Sequence, residues 1–458
     1  MKQGAAGKAV DVVIVGAGMA GLAAAHALRH LRVVVLEAAD RPGGRLLSQP
    51  VGRYWLNFGA HMFGPPDSPV GRLLDATGVA AGAINGRLMG MAYKGKRLFD
   101  VPAEAYPLRL PLSLGERASL IKMGLRLRVG SSRLAALMRP RPGEPPAARR
   151  QRLLGIENDR TLADYVGGLG GETRALLRAI TERNGADPED MSAGHGLRSF
   201  GNVWSRHAPG RNVIGGSSRL PEALAASLGT AVRYGADVLS IDQDAAGVTV
   251  THCSAGAVKT TTRARACIVA TPAHVARRVI GNLPEAVAAA LEGIRYGAFV
   301  TAGVLTREPG AMAWDRTYAT ATPGRSFSVM FNMATTLRTA VREPGGSLML
   351  FRGARGAADL LDISDDAIAA RFAADLVDAF PELKGLIDHI IVQKWPFGAP
   401  FSAVGRARLQ PVLAAPIGHI VLAGDYLEFP NMEAAVMTGE EAAASVAARL
   451  ATTRQDTL

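Results

Sequence analysis

Three glycines and one acidic residue near the start of the chain have a spacing with a specific chemical use. Gly16, Gly18 and Gly21 follow the apolar run 10–15, and Glu37 lies 21 residues after Gly16. Gly16 permits a tight turn, Gly18 lets the backbone approach a pyrophosphate, and Gly21 lets the next helix pack closely. The pyrophosphate then lies at a helix N-terminus, where free N–H groups favour an anion. Glu37 can accept hydrogen bonds from a ribose diol, and it disfavours a 2′-phosphate.

The elements that must position these residues are also visible in the sequence. The β-branched run 10–15 predicts a strand buried on both faces, the stretch 22–28 predicts a helix, and 32–36 predicts a second strand. Together they form a strand–turn–helix–strand unit of the size that binds dinucleotides. The sequence therefore predicts an α/β fold with a Rossmann-type sheet.

The segment after Glu37 separates FAD from NAD. Its glycine pair and arginine (Gly43, Gly44 and Arg45) resemble the second signature of the flavin-containing amine oxidase superfamily, in which they contact the diphosphate and ribityl chain of the flavin. The resemblance implies FAD as cofactor. Since no cysteine lies near these motifs, we expect it to be bound non-covalently.

Further motifs of this superfamily are spread along the chain. They include the glycine pair of 213–224, the valine Val238 that holds adenine in the family, the returning strand 267–272 and the pair Gly424-Asp425. Asn431 is the expected N-cap of the last helix. The resemblance implies a discontinuous Rossmann-type FAD-binding domain interleaved with an α+β substrate domain. The expected segments are 9–75, 211–285 and 406–450 for the first domain and 76–210 and 286–405 for the second.

The motifs also indicate which branch of the superfamily the chain resembles. The strand 296–304 lacks the lysine of monoamine oxidases, and Asn431 stands where that branch has tyrosine. The segment 395–405 looks more like protoporphyrinogen oxidases and carotenoid desaturases. The loop 57–63, which contains His61, resembles UDP-galactopyranose mutase, where the histidine loop lies beside the flavin. His61 is therefore the candidate catalytic residue, with a packed histidine bonded to backbone carbonyls as the alternative.

These resemblances imply an FAD-dependent oxidoreductase that moves a hydride from a small, apolar organic substrate to flavin N5. The product would be a C=C or C=N bond, and O2 or another acceptor would take the electrons. The alternatives are an amine oxidase for a non-aromatic or secondary-metabolite amine, a mutase-like enzyme without net redox, and a non-catalytic FAD-binding protein. The expected cofactor contacts are Gly16, Gly18, Met19, Ala20, Gly21, Glu37, Ala38, Gly43, Gly44, Arg45, Gly59, Ala60, His61, Val238, Thr271, Trp395, Gly424, Asp425, Met432 and Glu433.

Composition sets the remaining limits. The chain has 458 residues, 48% hydrophobic and 20% charged, which is typical of a globular protein. Two cysteines, Cys253 and Cys267, exclude a disulfide framework and favour the cytoplasm. We expect no metal site, and the sequence leaves the oligomeric state open.

Most of the net charge of +12 is concentrated in one segment. Residues 107–152 contain 11 basic and 2 acidic residues, and we expect them to be largely helical, with a loop over the Pro- and Arg-rich part 139–152. Such a segment predicts either peripheral contact with the inner face of a membrane or a solvated basic surface. Nucleic-acid binding is not expected, because no aromatic residues interleave the arginines.

Overall fold

The computed structural model describes residues 10–201, 203–204, 210–254, 258–338 and 342–455. Two large sheets dominate this part of the chain, and helices cover them. The strands are β1 (Val10–Val15), β2 (Val33–Leu36), β3 (Ser48–Val51), β4 (Tyr54–Asn57), β5 (Ala81–Ala83), β6 (Arg87–Tyr93), β7 (Lys96–Leu98), β8 (Arg211–Val213), β9 (Val232–Arg233), β10 (Asp237–Asp244), β11 (Gly247–Ser254), β12 (Val258–Val269), β13 (Arg295–Thr306), β14 (Thr317–Ala321), β15 (Val329–Asn332), β16 (Gly346–Gly353), β17 (Ile387–Phe401) and β18 (Ile420–Leu422).

The helices lie on both faces of the first sheet and on the outside of the second. They are α1 (Met19–Ala27), α2 (Pro69–Thr77), α3 (Tyr106–Arg109), α4 (Leu114–Leu137), α5 (Pro146–Gly155), α6 (Leu162–Val166), α7 (Gly171–Thr181), α8 (Ala193–Arg198), α9 (Arg219–Leu228), α10 (Ala273–Val279), α11 (Glu285–Glu292), α12 (Ala354–Ala358), α13 (Asp365–Ala379), α14 (Gln410–Ala414) and α15 (Met432–Gln455).

The first sheet has the strand order β10-β11-β12-β1-β2-β9, and β18 pairs with the end of β12. The strands β1, β2, β9 and β18 run parallel to the end of β12, whereas β10 and β11 form an antiparallel extension. Along β1, Val12 and Ile14 pack into the layer that contains α1 and α15. Val13 and Val15 pack into the opposite layer with α10 and α11. Alternation along the strand thus covers both faces, as the apolar run predicts.

The parallel strands bring the sequence motifs to one edge. The carboxyl ends of β1, β2, β12 and β18 are followed by Gly16, Glu37, Thr271 and Gly424 respectively. In open α/β sheets, ligands bind outside this edge. The edge that carries the motifs is therefore the edge where a dinucleotide is expected.

The second sheet has the strand order β17-β13-β16-β15-β14-β6-β7. Its pairs are antiparallel except that of β14 with β6. Its strands come from residues 87–98 and 295–401, which lie between the strands of the first sheet in the sequence. An α/β sheet with an interleaved second sheet matches the predicted fold class, whereas the residue boundaries proposed for the two domains remain a prediction.

Two details of secondary structure differ from the prediction. Part of 139–152, expected as a loop, belongs to α5, which begins at Pro146. Proline is favoured in the first turn of a helix, where its missing N–H costs nothing, so Pro145 and Pro146 start the helix rather than prevent it. In addition, α1 begins three residues before the predicted helix, at Met19, so the glycine turn leads directly into it.

Candidate active site

A cavity of about 510 Å³ extends from the carboxyl edge of the first sheet to the second sheet. All the residues expected to contact the cofactor line this cavity except Gly21 and Glu433. Side chains from the second sheet, among them Phe299, Thr301 and Phe351, line the same cavity. The structure therefore joins the predicted nucleotide end to a second, largely apolar compartment.

The glycine turn leaves open space at the start of α1. Gly18 is the N-cap residue and has no side chain to occupy the helix N-terminus. Its φ of −70° and ψ of 176° suit any residue, and a Cβ built on it has no atom within 4 Å. The glycine is thus explained by the space that it leaves in the cavity, not by backbone strain. The first N–H groups of α1 are available to an anion there.

Gly21 has a different role. A Cβ at this position would lie 1.9 Å from the backbone oxygen of Gly16. Gly21 therefore lets α1 lie directly against the turn, as its place in the motif predicts, and it does not line the cavity.

Glu37 is held at the end of β2 by two backbone amides. Its carboxylate oxygens accept hydrogen bonds from the N–H of Ala17 at 2.6 Å and from that of Ala39 at 2.9 Å. These bonds fix the carboxylate beside the glycine turn, and its remaining lone pairs are available to ribose hydroxyls.

An ion pair in the cavity wall joins two segments that lie 380 residues apart in the sequence. Arg45 donates to Asp425 at 2.7 Å and to the backbone oxygen of Gly398 at 3.1 Å. Burial lowers the pKa of Arg45, but the charge of Asp425 outweighs burial and leaves the pKa raised. The guanidinium is therefore cationic at every physiological pH.

Two buried hydroxyl groups in the cavity wall have no partner among the residues that the structure describes. They are the Thr271 Oγ1 atom, just after β12, and the Tyr426 hydroxyl, just after the Gly424-Asp425 pair. Buried polar groups without a partner are costly, so a polar ligand that bonds to them would be stabilised.

His61 lines the cavity and is bonded to a backbone carbonyl. Its Nδ1 atom lies 2.8 Å from the oxygen of Gly59. The Asn57 amide nitrogen lies farther from Nδ1, at 3.3 Å, and donates to the same Gly59 oxygen at 2.9 Å. Because a carbonyl only accepts, the shorter contact favours the tautomer with the proton on Nδ1 and with Nε2 as an acceptor. The ring packs edge-on against Phe331, with 4.7 Å between centroids. Burial lowers the pKa of His61 to about 4, so the ring is neutral at pH 7.

The wall opposite the glycine turn is aromatic and contains no lysine among the described lining residues. Thr301 of β13 and the indole N–H of Trp395 both donate to the oxygen of Phe58, at 2.8 and 2.9 Å. Lys394, next to Trp395 in sequence, instead pairs with Asp365 at 3.0 Å and does not line the cavity.

Glu433 is placed differently from the expectation. Its carboxylate accepts hydrogen bonds from the N–H groups of Gly64 and Val70, at 3.1 and 3.0 Å, and from the Ser68 hydroxyl at 2.9 Å. It therefore anchors the start of α2 rather than contacting the cavity. The same turn of α15 does have the predicted cap, since Asn431 Oδ1 accepts from the N–H of Ala434 at 2.8 Å.

Sequence reasoning missed three charged residues of the cavity, which are Arg183, Asp237 and Arg278. Arg183 lines it from a 3₁₀ turn, Glu182–Asn184, in a stretch of chain that carries no cofactor motif. No signal in the sequence distinguishes it from the many other arginines of this chain.

The chain belongs to the flavin containing amine oxidoreductase family, whose family model matches residues 19–447. AofH of Mycobacterium tuberculosis, named for an inferred flavin-containing monoamine oxidase activity, is 32% identical over 259 residues, 53% of each chain. An L-amino acid dehydrogenase of Synechocystis is 27% identical over 297 residues, which are 60% of this chain and 58% of that protein. The chain thus spans little more than half the length of these curated relatives.

Solved structures show the same fold over nearly the whole chain. Cyclohexylamine oxidase from Brevibacterium oxydans has a TM-score of 0.76 at 21% identity, covering 96% of this chain and 99% of that one. Putrescine oxidase bound to putrescine has a TM-score of 0.75 at 20% identity, with the same coverage. At such identity the likeness establishes the fold alone.

These findings confirm the resemblance to the flavin-containing amine oxidase superfamily and the predicted fold class. FAD is the cofactor, and non-covalent attachment remains a prediction. Within the described ranges, no group of three His, Cys, Asp or Glu side chains is arranged to hold a metal ion. None of the described helices is long and apolar enough to cross a membrane.

Proposed function

We propose that this protein oxidises a small organic amine at the carbon–nitrogen bond. The observation that carries the proposal is the single cavity that joins the glycine turn, Glu37 and Arg45 to the aromatic compartment around His61. Bound FAD would supply the oxidising power, with O2 or another acceptor taking up the electrons. The product is an imine, which water hydrolyses. The amine-oxidising names of the relatives favour this C=N product over the C=C product that the sequence left open.

The chain's own residues hold the cofactor in this proposal. The N-terminus of α1 and the space beside Gly18 receive the pyrophosphate, and Glu37 binds the adenosine ribose. Thr271 and Tyr426 supply the hydroxyl groups that otherwise lack partners. These residues fit FAD because the cradle is open and its polar atoms are unsatisfied.

The aromatic compartment excludes water and orients the substrate. Phe331 and Trp395 leave little polar surface near His61. With a pKa of about 4, His61 is neutral at pH 7 and can accept a hydrogen bond from the amine at Nε2. The apolar surroundings disfavour the charged ammonium form, so the amine binds deprotonated with its lone pair available. We propose His61 as the residue that orients the amine nitrogen.

A peroxide assay with a panel of primary and secondary amines tests the proposal. The purified holoprotein is expected to release hydrogen peroxide and the corresponding carbonyl compound with at least one amine under air. The matched control is Gly18→Val, which removes the space for the pyrophosphate and leaves the aromatic compartment unchanged. Yellow protein that no amine reduces would favour a non-catalytic FAD-binding protein. Reaction only with a reduced flavin and a sugar nucleotide would favour the mutase-like alternative.

Simple aromatic monoamines are expected to be poor substrates. Asn431, at the position where the monoamine branch has tyrosine, lies in the cavity wall. The lysine-free strand β13 contributes Phe299 and Thr301 to this wall. Turnover of benzylamine at about 10 per second or faster, a rate typical of enzymes, would contradict this assignment.

We also propose peripheral contact of α4 with an anionic bilayer. Leu114, Ile121, Leu125 and Val129 are exposed on this helix. Their spacing of seven, four and four residues places them on one helix face. Exposed basic residues such as Lys122 flank them. An apolar stripe with basic flanks suits a membrane interface, where each basic group contributes about 1 kcal/mol.

Ion pairs within the protein reduce the basic charge that is available. Arg128 pairs with Glu104 at 3.1 Å, and Arg152 pairs with Glu144 at 2.5 Å. Cosedimentation with anionic vesicles at low salt tests the proposal, with Leu125→Glu as the variant and neutral vesicles as the control. We expect the unmodified protein to bind the anionic vesicles and Leu125→Glu to abolish this binding. Absence of binding by the unmodified protein would leave a solvated basic face.

A further inference from the structure

Two arginines of the cavity wall, Arg183 and Arg278, have no acidic partner among the described residues, and only Arg183 is shielded from solvent. Of the cavity-lining arginines, Arg45 is paired with Asp425, and Arg278 is exposed. Arg183 is partly buried and donates one hydrogen bond, to the backbone oxygen of Ser199 at 2.5 Å. No carboxylate lies within ion-pair distance of Arg183 among the residues with described positions. Burial lowers the pKa of Arg183 to about 10, so it still carries its charge at pH 7.

The turn that carries Arg183 is held firmly on both sides. Glu182 accepts from the N–H of Gly353 at 3.4 Å and pairs with Arg352 at 3.5 Å. On the other side, His195 Nε2 lies 3.0 Å from the backbone oxygen of Asn184. The neighbours of Arg183 thus fix the backbone at the end of β16, while its own side chain contributes only the bond to Ser199.

The surroundings of Arg183 in the cavity are apolar. A Cβ on Gly353 would lie 2.4 Å from the oxygen of Glu182 and 3.0 Å from the Phe351 ring, so the turn and this ring are close neighbours. Phe351 packs edge-on against Phe299, with 4.8 Å between centroids, and both rings line the cavity. Aromatic rings therefore line the cavity beside the turn that carries Arg183.

An unpaired guanidinium in such a compartment needs an anion. It has five N–H donors in a planar fork, which matches a carboxylate in two-point geometry. The acids that line the cavity do not fill this role. Glu37 bonds to backbone amides, Asp425 pairs with Arg45, and Asp237 is exposed.

We propose that the amine substrate carries a carboxylate group and that Arg183 binds it. The substrate class is then an amino acid with an apolar side chain, which packs against Phe299 and Phe351. This inference rests on the proposed amine oxidation and names its substrate class. It also revises the expectation of a wholly apolar substrate.

Binding of an unreactive carboxylate tests the role of Arg183 without turnover. The probe is 3-phenylpropanoate, titrated calorimetrically into the holoprotein, with 3-phenylpropan-1-ol as its uncharged counterpart. Arg183→Met is expected to weaken binding of the carboxylate by at least about 30-fold, since removing one partner of a buried charge pair is costly. Binding of the alcohol is expected to change little. Arg183→Lys should retain part of the affinity, because it retains the charge.

Arg174→Met is the matched control. Arg174 is exposed on α7 and donates only to the Leu169 oxygen at 3.4 Å, so the same change of charge there is expected to leave binding unaltered. Failure of 3-phenylpropanoate to bind the unmodified holoprotein at millimolar concentration, or equal binding by Arg183→Met, would overturn the inference. If Arg183→Met does not fold, the unmodified protein and Arg183→Lys still test the inference. Both are expected to bind the carboxylate more tightly than the alcohol, and equal binding of the two compounds by the unmodified protein would overturn the inference.

Turnover separates this inference from the proposed function. Phenylalanine and phenethylamine differ only in the carboxylate, and kcat/KM is expected to be at least about 30-fold higher for phenylalanine in the unmodified protein. Reaction with phenethylamine but not phenylalanine would overturn the carboxylate assignment and leave amine oxidation intact. Reaction with no amine of any kind, while 3-phenylpropanoate binds through Arg183, would overturn the proposed function and leave Arg183 as a carboxylate-binding residue only.

Discussion

Substitutions at Gly18 and Gly21 are expected to separate cofactor binding from folding. The two glycines belong to one motif, but a Cβ on Gly18 meets nothing within 4 Å, whereas one on Gly21 lies 1.9 Å from a backbone oxygen. Gly18→Val therefore places its methyl groups in the cavity, and Gly21→Ala forces α1 away from the turn. We expect the first variant to lose FAD affinity and the second to lose stability.

The magnitudes follow from these contacts. Overpacking costs about 1–3 kcal/mol, so Gly18→Val should weaken FAD binding by about 5- to 150-fold. Its φ and ψ suit valine, and loss of the glycine cap costs the apoprotein less than about 1 kcal/mol. For Gly21→Ala, a normal Cβ contact of at least 3.0 Å requires α1 to move by about 1 Å. That displacement at a buried helix should cost about 3 kcal/mol, more than the roughly 1 kcal/mol by which alanine favours a helix.

Two measurements on the same preparations test these values. Titration of the deflavinated proteins with FAD gives the dissociation constants, and urea unfolding of the deflavinated proteins gives the free energies of unfolding. Gly18→Val that binds FAD as tightly as the unmodified chain would refute the assignment of the cradle. Gly21→Ala that unfolds at the same urea concentration as the unmodified chain would refute the packing argument.

Three other predictions concern pH, α2 and the cofactor linkage. Burial lowers the pKa of His195 to about 4, below its usual 6.5, so its contribution to stability is complete above pH 6.5 and is lost as pH falls toward 4. Over this pH range, urea unfolding of the unmodified protein should show a decrease of about 3 kcal/mol in the free energy of unfolding that is due to His195 and is absent from His195→Asn. Equal pH dependence of the two proteins would contradict this prediction. Glu433→Gln should lower the free energy of unfolding by about 1–3 kcal/mol and leave the dissociation constant for FAD unchanged. A variant that binds FAD more weakly but unfolds like the unmodified protein would instead support the cofactor contact expected from the sequence. Acid precipitation should release all the flavin into the supernatant, because neither Cys253 nor Cys267 lines the cavity; yellow pellets would contradict non-covalent binding.

The nucleotide end of the site was predictable because it depends on local sequence. The run 10–15, the glycine spacing and Glu37 each determine nearby backbone geometry, so a short motif suffices to predict strand, turn and helix. The distant segments around Thr271 and Gly424 were predictable only through the family resemblance. Parallel pairing in the first sheet then brings them to the same edge.

The substrate end was not predictable in the same way. Arg183 lies in the cavity because the turn Glu182–Asn184 packs against the end of β16, a contact between residues about 170 apart in the sequence. Glu433 illustrates the opposite error. It lies next to the cavity-lining Met432, but successive residues on a helix point in different directions, and its carboxylate bonds to the start of α2.

Anaerobic reduction of the bound flavin by an amine tests the central claim most directly. Mixing the holoprotein with each member of an amine and amino acid panel without oxygen should bleach the visible absorbance of the flavin with at least one compound. Admission of oxygen or an artificial acceptor should restore the absorbance, with one equivalent of imine or its carbonyl product formed for each flavin. A yellow protein whose absorbance no amine or amino acid changes, or a colourless protein that does not take up added FAD, would contradict an FAD-dependent amine oxidoreductase.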